Sequence, residues 1–140
     1  MSSPYSGTTV GATDFIASLC GSSSAPELVF TINVPPYAQI TFQQTNNSYD
    51  SAHELRWGGA CPGTTYVSCV DDPDETSVTW TNPYSSTQAV YYIQSGYNGY
   101  SGTFTLAWGF GSGDARPLDA RAQRASLMCS EPSVDELGNC

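Results

Sequence analysis

His53 is the single histidine of this 140-residue chain. A Ser-His-Asp relay would have to use it, because imidazole is the base that takes the serine proton. No G-x-S-x-G elbow accompanies it, and its short strand context reads as a strand-surface histidine. Lysine chemistry is excluded, since the chain has no lysine. The residues therefore read as non-catalytic. Asp71-Asp72-Pro73-Asp74-Glu75 places four carboxylates in five residues. Such like charges either stay solvated or share a cation. Calcium suits them, because it accepts many oxygens in flexible geometry. The EF-hand frame is missing, so further ligands must come from elsewhere. The candidate calcium set is Asp14, Asp50, Asp71, Asp72 and Asp74. The alternative is a solvated acidic turn in which Asp72 caps backbone N–H groups before Pro73.

The chain has five cysteines. Cys61 and Cys69 enclose Pro62-Gly63, and a hairpin closed by their disulfide is the expected arrangement. Zinc is not expected, because C-x-x-C spacing is absent and there is one histidine. Cys20, Cys129 and Cys140 remain. Cys129 and Cys140 would close a small tail loop, or Cys20 would fasten the tail by bonding either one. An odd count leaves at least one thiol for a neighbouring chain or domain. These pairings stay open. Tyr84, Tyr97, Tyr100 and Trp57 fall outside the inward strand positions. Exposed rings stack on sugar faces or partner side chains; the alternative is packing under loops. Trp80 and Trp108 read as core. Asn46-Asn47-Ser48 is an N-glycosylation sequon with Asn46 as acceptor.

Elements of period two must position these residues. Leu28, Phe30, Ile32 and Val34 alternate with Val29, Thr31 and Asn33 until Pro35-Pro36. Ile40 and Phe42, Val78 and Trp80, Val90 and Tyr92, and Phe104, Leu106 and Trp108 repeat the pattern. Shorter strands are expected at His53 to Trp57 and Thr65 to Val70, and one broken by Gly11 at Thr8 to Ala17. Seven to eight short strands without intervening helices mean an all-β, antiparallel sandwich of jelly-roll type. Each strand is expected to show one apolar and one polar face. Residues 1–110 form this domain. Residues 111–140 form a Cys-containing tail beyond a Gly/Ser stretch, with a short helix expected over Ala115 to Met128 behind an Asp114 cap.

Composition sets the habitat. Charged residues are 12% of the chain, about half the usual share, and the net charge is −9. A surface without lysine and with four arginines excludes nucleic acid as a partner. No run approaches the roughly 18 apolar residues of a membrane span. Low charge, abundant Ser and Thr, and many cysteines point to an extracellular or cell-surface setting. The first ten residues carry no signal-peptide pattern, so a module of a longer secreted polypeptide is expected.

The central run Tyr49-Asp50-Ser51, His53-Glu54-Leu55-Arg56, Gly58-Gly59-Ala60-Cys61-Pro62-Gly63 and Val67-Ser68-Cys69-Val70-Asp71-Asp72 resembles the bacterial pre-peptidase C-terminal (PPC-like) domain. Gly7-Thr8-Thr9, Gly11-Ala12-Thr13-Asp14 and Cys20-Gly21 resemble its opening, and Glu27 to Pro35 its first long strand. Val90 to Ile93, Gly96-Tyr97 and Ser101 to Leu106 resemble its closing strands. The likeness covers about residues 7–108. It departs at Ala52-His53-Glu54, which is more polar than the pattern, and at Tyr92 to Gly96, where Val-Asp-Gly is common. The resemblance implies a jelly-roll accessory module of a secreted multidomain protein, serving attachment, polymer binding or stability. The expected partners are an extracellular polymer, carbohydrate or protein, or neighbouring domains. A second expectation is self-association, with the chain as a building block of a fibre, sheath or appendage linked through the Cys-bearing tail.

Overall fold

The computed structural model describes residues 1–16, 20 and 24–111, and the backbone of residues 126–127. The strands are β1 (Tyr5–Thr8), β2 (Leu28–Val34), β3 (Gln39–Asn47), β4 (Ser51–Trp57), β5 (Thr65–Val70), β6 (Val78–Thr81), β7 (Gln88–Gly96), β8 (Thr103–Phe110) and the short β9 (Ser126–Leu127). They form two antiparallel sheets, ordered β1-β8-β3-β6 and β5-β4-β7-β2-β9. β1 pairs with β8, β2 with β7, β3 with β6 and β4 with β5. Each strand of the first half thus pairs with its mirror counterpart in the second half, which is the jelly-roll winding. The expected sandwich is therefore what the chain forms.

The period-two segments became strands because each places an apolar row between the sheets. Phe30, Ile32, Val34, Leu55, Val90 and Tyr92 of one sheet share a core with Ile40, Phe42, Phe104, Leu106 and Trp108 of the other. Rings interlock within it: Phe42 stacks on Tyr92 at 5.0 Å, and Phe30 meets Phe104 edge-on at 6.1 Å. Trp108 lies in this core as expected, whereas Trp80 is only partly buried against it. The first strand differs from expectation. It runs over Tyr5–Thr8, and Gly11, at φ 80°, turns the chain after it rather than interrupting it.

The second sheet does not follow the one-face rule. β7 is buried along Val90–Gly96 on both faces. Its outward residues Tyr91 and Ile93 form a second core with Val29, Cys61, Phe15 and Ile16. The segment after β1 crosses that face and covers it. It is held by Glu27, which accepts hydrogen bonds from the backbone N–H groups of Phe15 and Ile16, and by a disulfide from Cys20 to Cys69.

That disulfide corrects the expected Cys61–Cys69 pairing. β4 and β5 form the expected hairpin, but its last paired residues are Trp57 and Thr65, and Cys69 sits opposite Glu54. Four strand residues carry Cys69 about 13 Å beyond the hairpin's end. Cys61 remains in the loop, out of disulfide reach. Cys20 brings its Cα to 5.8 Å from that of Cys69. Cys61 is itself disulfide-bonded. Cys129 and Cys140 lie outside the described residues, as does most of the expected tail helix. Its end is corrected: Ser126–Leu127 is extended and pairs with Thr31 and Phe30 of β2.

The Cys20–Cys69 link closes a separation of 49 residues, and its loss costs about 4 kcal/mol by chain entropy. Replacing both cysteines by serine should lower Tm by about 10 °C in a calorimetric scan. An unchanged Tm would show that the covering segment holds without the bond.

Candidate functional site

The connections divide between two ends of the sandwich. At one end lie the β3–β4 turn, the β5–β6 loop and the β7–β8 turn, which carry Asp50, Asp71–Glu75 and Tyr97–Tyr100. At the other lie the β2–β3 turn, the β4–β5 loop and the β6–β7 loop, which carry Tyr37, Cys61 and Tyr84.

Beneath the acidic end the inward positions are polar. Gln44, Ser51, His53 and Gln94 are all fully or almost fully buried. The strand-surface reading of His53 is thus overturned. β4 puts Ser51, His53, Leu55 and Trp57 on its inner side, and the only apolar members come late in the strand. Ser51 Oγ accepts from Gln44 Nε2 at 2.9 Å and from Asn47 Nδ2 at 3.2 Å. Its own proton therefore goes to His53 Nε2, 3.0 Å away. Nδ1 then carries the ring proton and donates to the Tyr92 hydroxyl at 2.6 Å. Gln94 Nε2 closes the network on Gln44 Oε1 at 2.6 Å and Tyr49 Oη at 2.8 Å. Burial lowers the His53 pKa to about 4, against a smaller opposing pull from Asp74.

Ser51 and His53 have the spacing of a nucleophile and its base. The serine oxygen already serves two amide donors, and neither residue is open to solvent. Their chemistry here is structural: the hydroxyl and imidazole satisfy each other inside the sandwich.

The acidic loops meet this network through Asp74, whose carboxylate accepts from Asn47 Nδ2 and from Ser51 N–H. Asp50, Asp72 and Asp74 all act on Asp71 and raise its pKa, behind a larger desolvation effect. Four of the five expected calcium ligands therefore act on one another at one end. Asp14 is not among the groups acting on Asp71: it accepts from Ser24 Oγ at 2.9 Å, with the Ser24 carbonyl beside Gly99 of the β7–β8 turn, and acts electrostatically on Glu27. Among the described residues, no three His, Cys, Asp or Glu groups are arranged to hold a metal ion.

Tyr97 and Tyr100 are exposed in a short 3₁₀ turn at this same end. Gly96 is required there, since a Cβ would lie 1.8 Å from the Tyr100 carbonyl oxygen. Tyr84 is exposed too, but at the opposite end, about 20 Å away along β4 and β7. There it joins an aromatic group. Trp57 stacks on Trp80 at 5.5 Å and meets Tyr84 at 5.2 Å, and all three keep solvent contact. Tyr37, in the neighbouring turn, is 51% exposed and holds φ 60°. That backbone region costs a bulky residue about 1–3 kcal/mol.

Asn82 sets this second end. It is fully buried. Its Nδ2 serves the carbonyls of Val34 and Pro35 at 3.1 Å and of Ser86 at 2.8 Å, and its Oδ1 accepts from Tyr84 N–H at 2.9 Å. One amide thus joins the turn bearing Tyr37 to the loop bearing Tyr84. Neither Tyr37 nor Asn82 is singled out by strand periodicity. The positional signals were Pro35-Pro36 and Asn82-Pro83, which in sequence mark only where strands stop. Asn46 is exposed on β3 and borders a shallow depression of about 420 Å³ on the first sheet, with Ser6, Thr8, Thr103 and Thr105.

No protein-family model matches the chain, and neither a curated protein nor a solved structure matches it. The fold itself is the all-β jelly-roll sandwich. The intrachain disulfide fits an oxidising, extracellular setting. Among the described residues, no helix is long and apolar enough to cross a membrane.

His53 and Glu27 make opposite contributions to stability with pH. Burial raises the Glu27 pKa from 4.5 to about 7, so its stabilisation is full below pH 4.5 and is lost as pH rises to 7. The His53 pKa falls from 6.5 to about 4, so its stabilisation, about 3 kcal/mol, is full above pH 6.5 and is lost as pH falls to 4. The two slopes oppose each other between pH 4.5 and 6.5. His53→Gln should leave a protein whose urea midpoint falls as pH rises through that window, and Glu27→Gln one whose midpoint falls as pH drops. Wild-type pH profiles in both variants would refute the assignment.

Proposed function

We propose that this chain is a non-catalytic extracellular module that attaches a larger secreted protein to a polymer, carbohydrate or protein, as its likeness to PPC-like domains implies. One observation carries the reading. Among the described residues, five of the seven exposed large hydrophobic side chains are tyrosines: Tyr37, Tyr66, Tyr84, Tyr97 and Tyr100. Tyrosine gives a large contact area with a polar tip at low entropic cost, and it recurs at binding surfaces for that reason. Four of these rings stand on turns and loops held by the sandwich, the usual place for binding residues.

A second reading, of a self-assembling building block, is favoured by the β2 edge. Among the described residues, β9 pairs with two of the seven residues of β2. An edge that accepts one strand of the tail can accept that strand from a neighbour.

Retention of the full chain on insoluble polysaccharides and fibrous proteins tests the first reading. Retention on at least one polymer is the expected outcome, and flow-through on all of them sinks it. For the second, covalent or strand-exchanged multimers should persist in mass measurements at high concentration. Monomer throughout would remove that reading.

A further inference from the structure

We infer that the end of the sandwich bearing Trp57, Trp80 and Tyr84 is a binding site for a neutral saccharide chain, with Tyr37 as a flanking contact. The inference rests on the polymer-binding reading above and names its ligand class and its site.

The first support is geometric. Trp57 and Trp80 lie nearly parallel, 26° apart, with Tyr84 tilted at 39° against Trp57. They stand at the margin where the two sheets meet solvent, each only partly covered. Although Trp57 packs against both Trp80 and Tyr84, the three rings together keep surface in solvent, and exposed aromatic surface is the flat, weakly polar kind on which the C–H face of a pyranose ring stacks.

The second support is chemical. Among the described residues, the connections at this end, 35–38, 58–64 and 82–87, contain no charged residue. They and their borders carry hydroxyl and amide groups instead. Gln88 Nε2 reaches Ser86 Oγ at 2.9 Å, and Gln39 Nε2 reaches Thr81 Oγ1 at 3.2 Å. Uncharged rings beside amides and hydroxyls match a ligand made of C–H faces and hydroxyl groups. A cationic peptide would be drawn to the other end, where Asp50, Asp71, Asp72, Asp74 and Glu75 stand.

The third support is preorganisation. Tyr37 is held in a left-handed backbone conformation that a bulky residue rarely adopts. Asn82 fixes its turn and the Tyr84 loop to one another through four hydrogen bonds. Strain kept by a buried support, at an exposed aromatic residue, marks a surface held in a set shape before any ligand arrives.

Tryptophan emission reads the site directly, because two of the chain's three tryptophans belong to it and Trp108 is buried. The full chain is titrated with neutral hexasaccharides of glucose, xylose, mannose and N-acetylglucosamine. At least one should change the emission in a saturable way. Tyr84→Ala and Tyr37→Ala, both at exposed positions and checked for unchanged Tm, should weaken that binding by about fivefold to tenfold each. The double variant Tyr97→Ala, Tyr100→Ala at the opposite end should bind as the wild type does. The inference is overturned if no saccharide binds, if the Tyr84 and Tyr37 variants bind normally, or if the loss falls on Tyr97 and Tyr100. Retention on a fibrous protein alone would overturn it while leaving the polymer-binding reading intact. Retention on nothing would end both.

Discussion

The second sheet has apolar side chains on both faces, and only one face can meet the first sheet. Tyr91, Ile93 and Val29 would otherwise lie open to water. The chain resolves this by laying Phe15 and Ile16, which belong to no strand, against that face. Such a segment cannot be held by a ladder of backbone hydrogen bonds, so it needs other fastenings. A buried carboxylate that collects two backbone N–H groups is one, and a crosslink to β5 is the other. Burying Glu27 carries a cost, visible in its raised pKa. Its second carboxyl oxygen has no partner. The cover is thus tied down at the expense of an unfavourable charge.

The sandwich interior is not uniform along its length. Phe42, Leu55, Val90 and Leu106 form a conventional apolar centre. Toward the acidic loops the same inward rows turn polar, and every member but Gln94 Oε1 finds a partner. Satisfied in this way, a buried polar network fixes one register of the strands, because a shift of one residue would break all of its bonds together. Toward the other end the rows finish in Trp57 and Trp80. The two ends therefore differ in chemistry from the core outward.

Strand periodicity made most of the fold legible. Thr65–Val70 and Val78–Thr81 lie where alternation places them, and β2 runs to the Pro35-Pro36 stop. Alternation failed where polarity and burial part company. Ser51 and His53 look like the outer row of β4 because they are polar, yet they form the inner row, satisfied by residues far away in sequence. Local spacing also misled the cysteines. Cys61 and Cys69 are near in sequence, but strand register separates them, while the partner of Cys69 is Cys20, which lies in a turn 49 residues away. The acidic run is legible and Asp50 can be named beside it, but spacing alone does not show that Asp14 acts on Glu27 rather than on Asp71. Tyr84 and Trp57 are legible as lying outside the inward rows, but their meeting with Trp80 is not, since Trp57 and Trp80 belong to different sheets, Tyr84 stands on a loop, and the three meet only in the fold.

The separation of acidic and uncharged loops has an orientational consequence. Among the described residues, five carboxylates stand in the loops of one end and none in the loops of the other, so the field of these loops is polarised along the strands. Near an anionic surface, such as a cell envelope, the torque of that field turns the carboxylates outward into solvent. The ringed end then faces the surface before any contact forms. Salt at physiological strength confines this effect to the last 10 Å or so of approach. Within that distance the protein arrives aligned rather than at random, and its charge acts as a rudder.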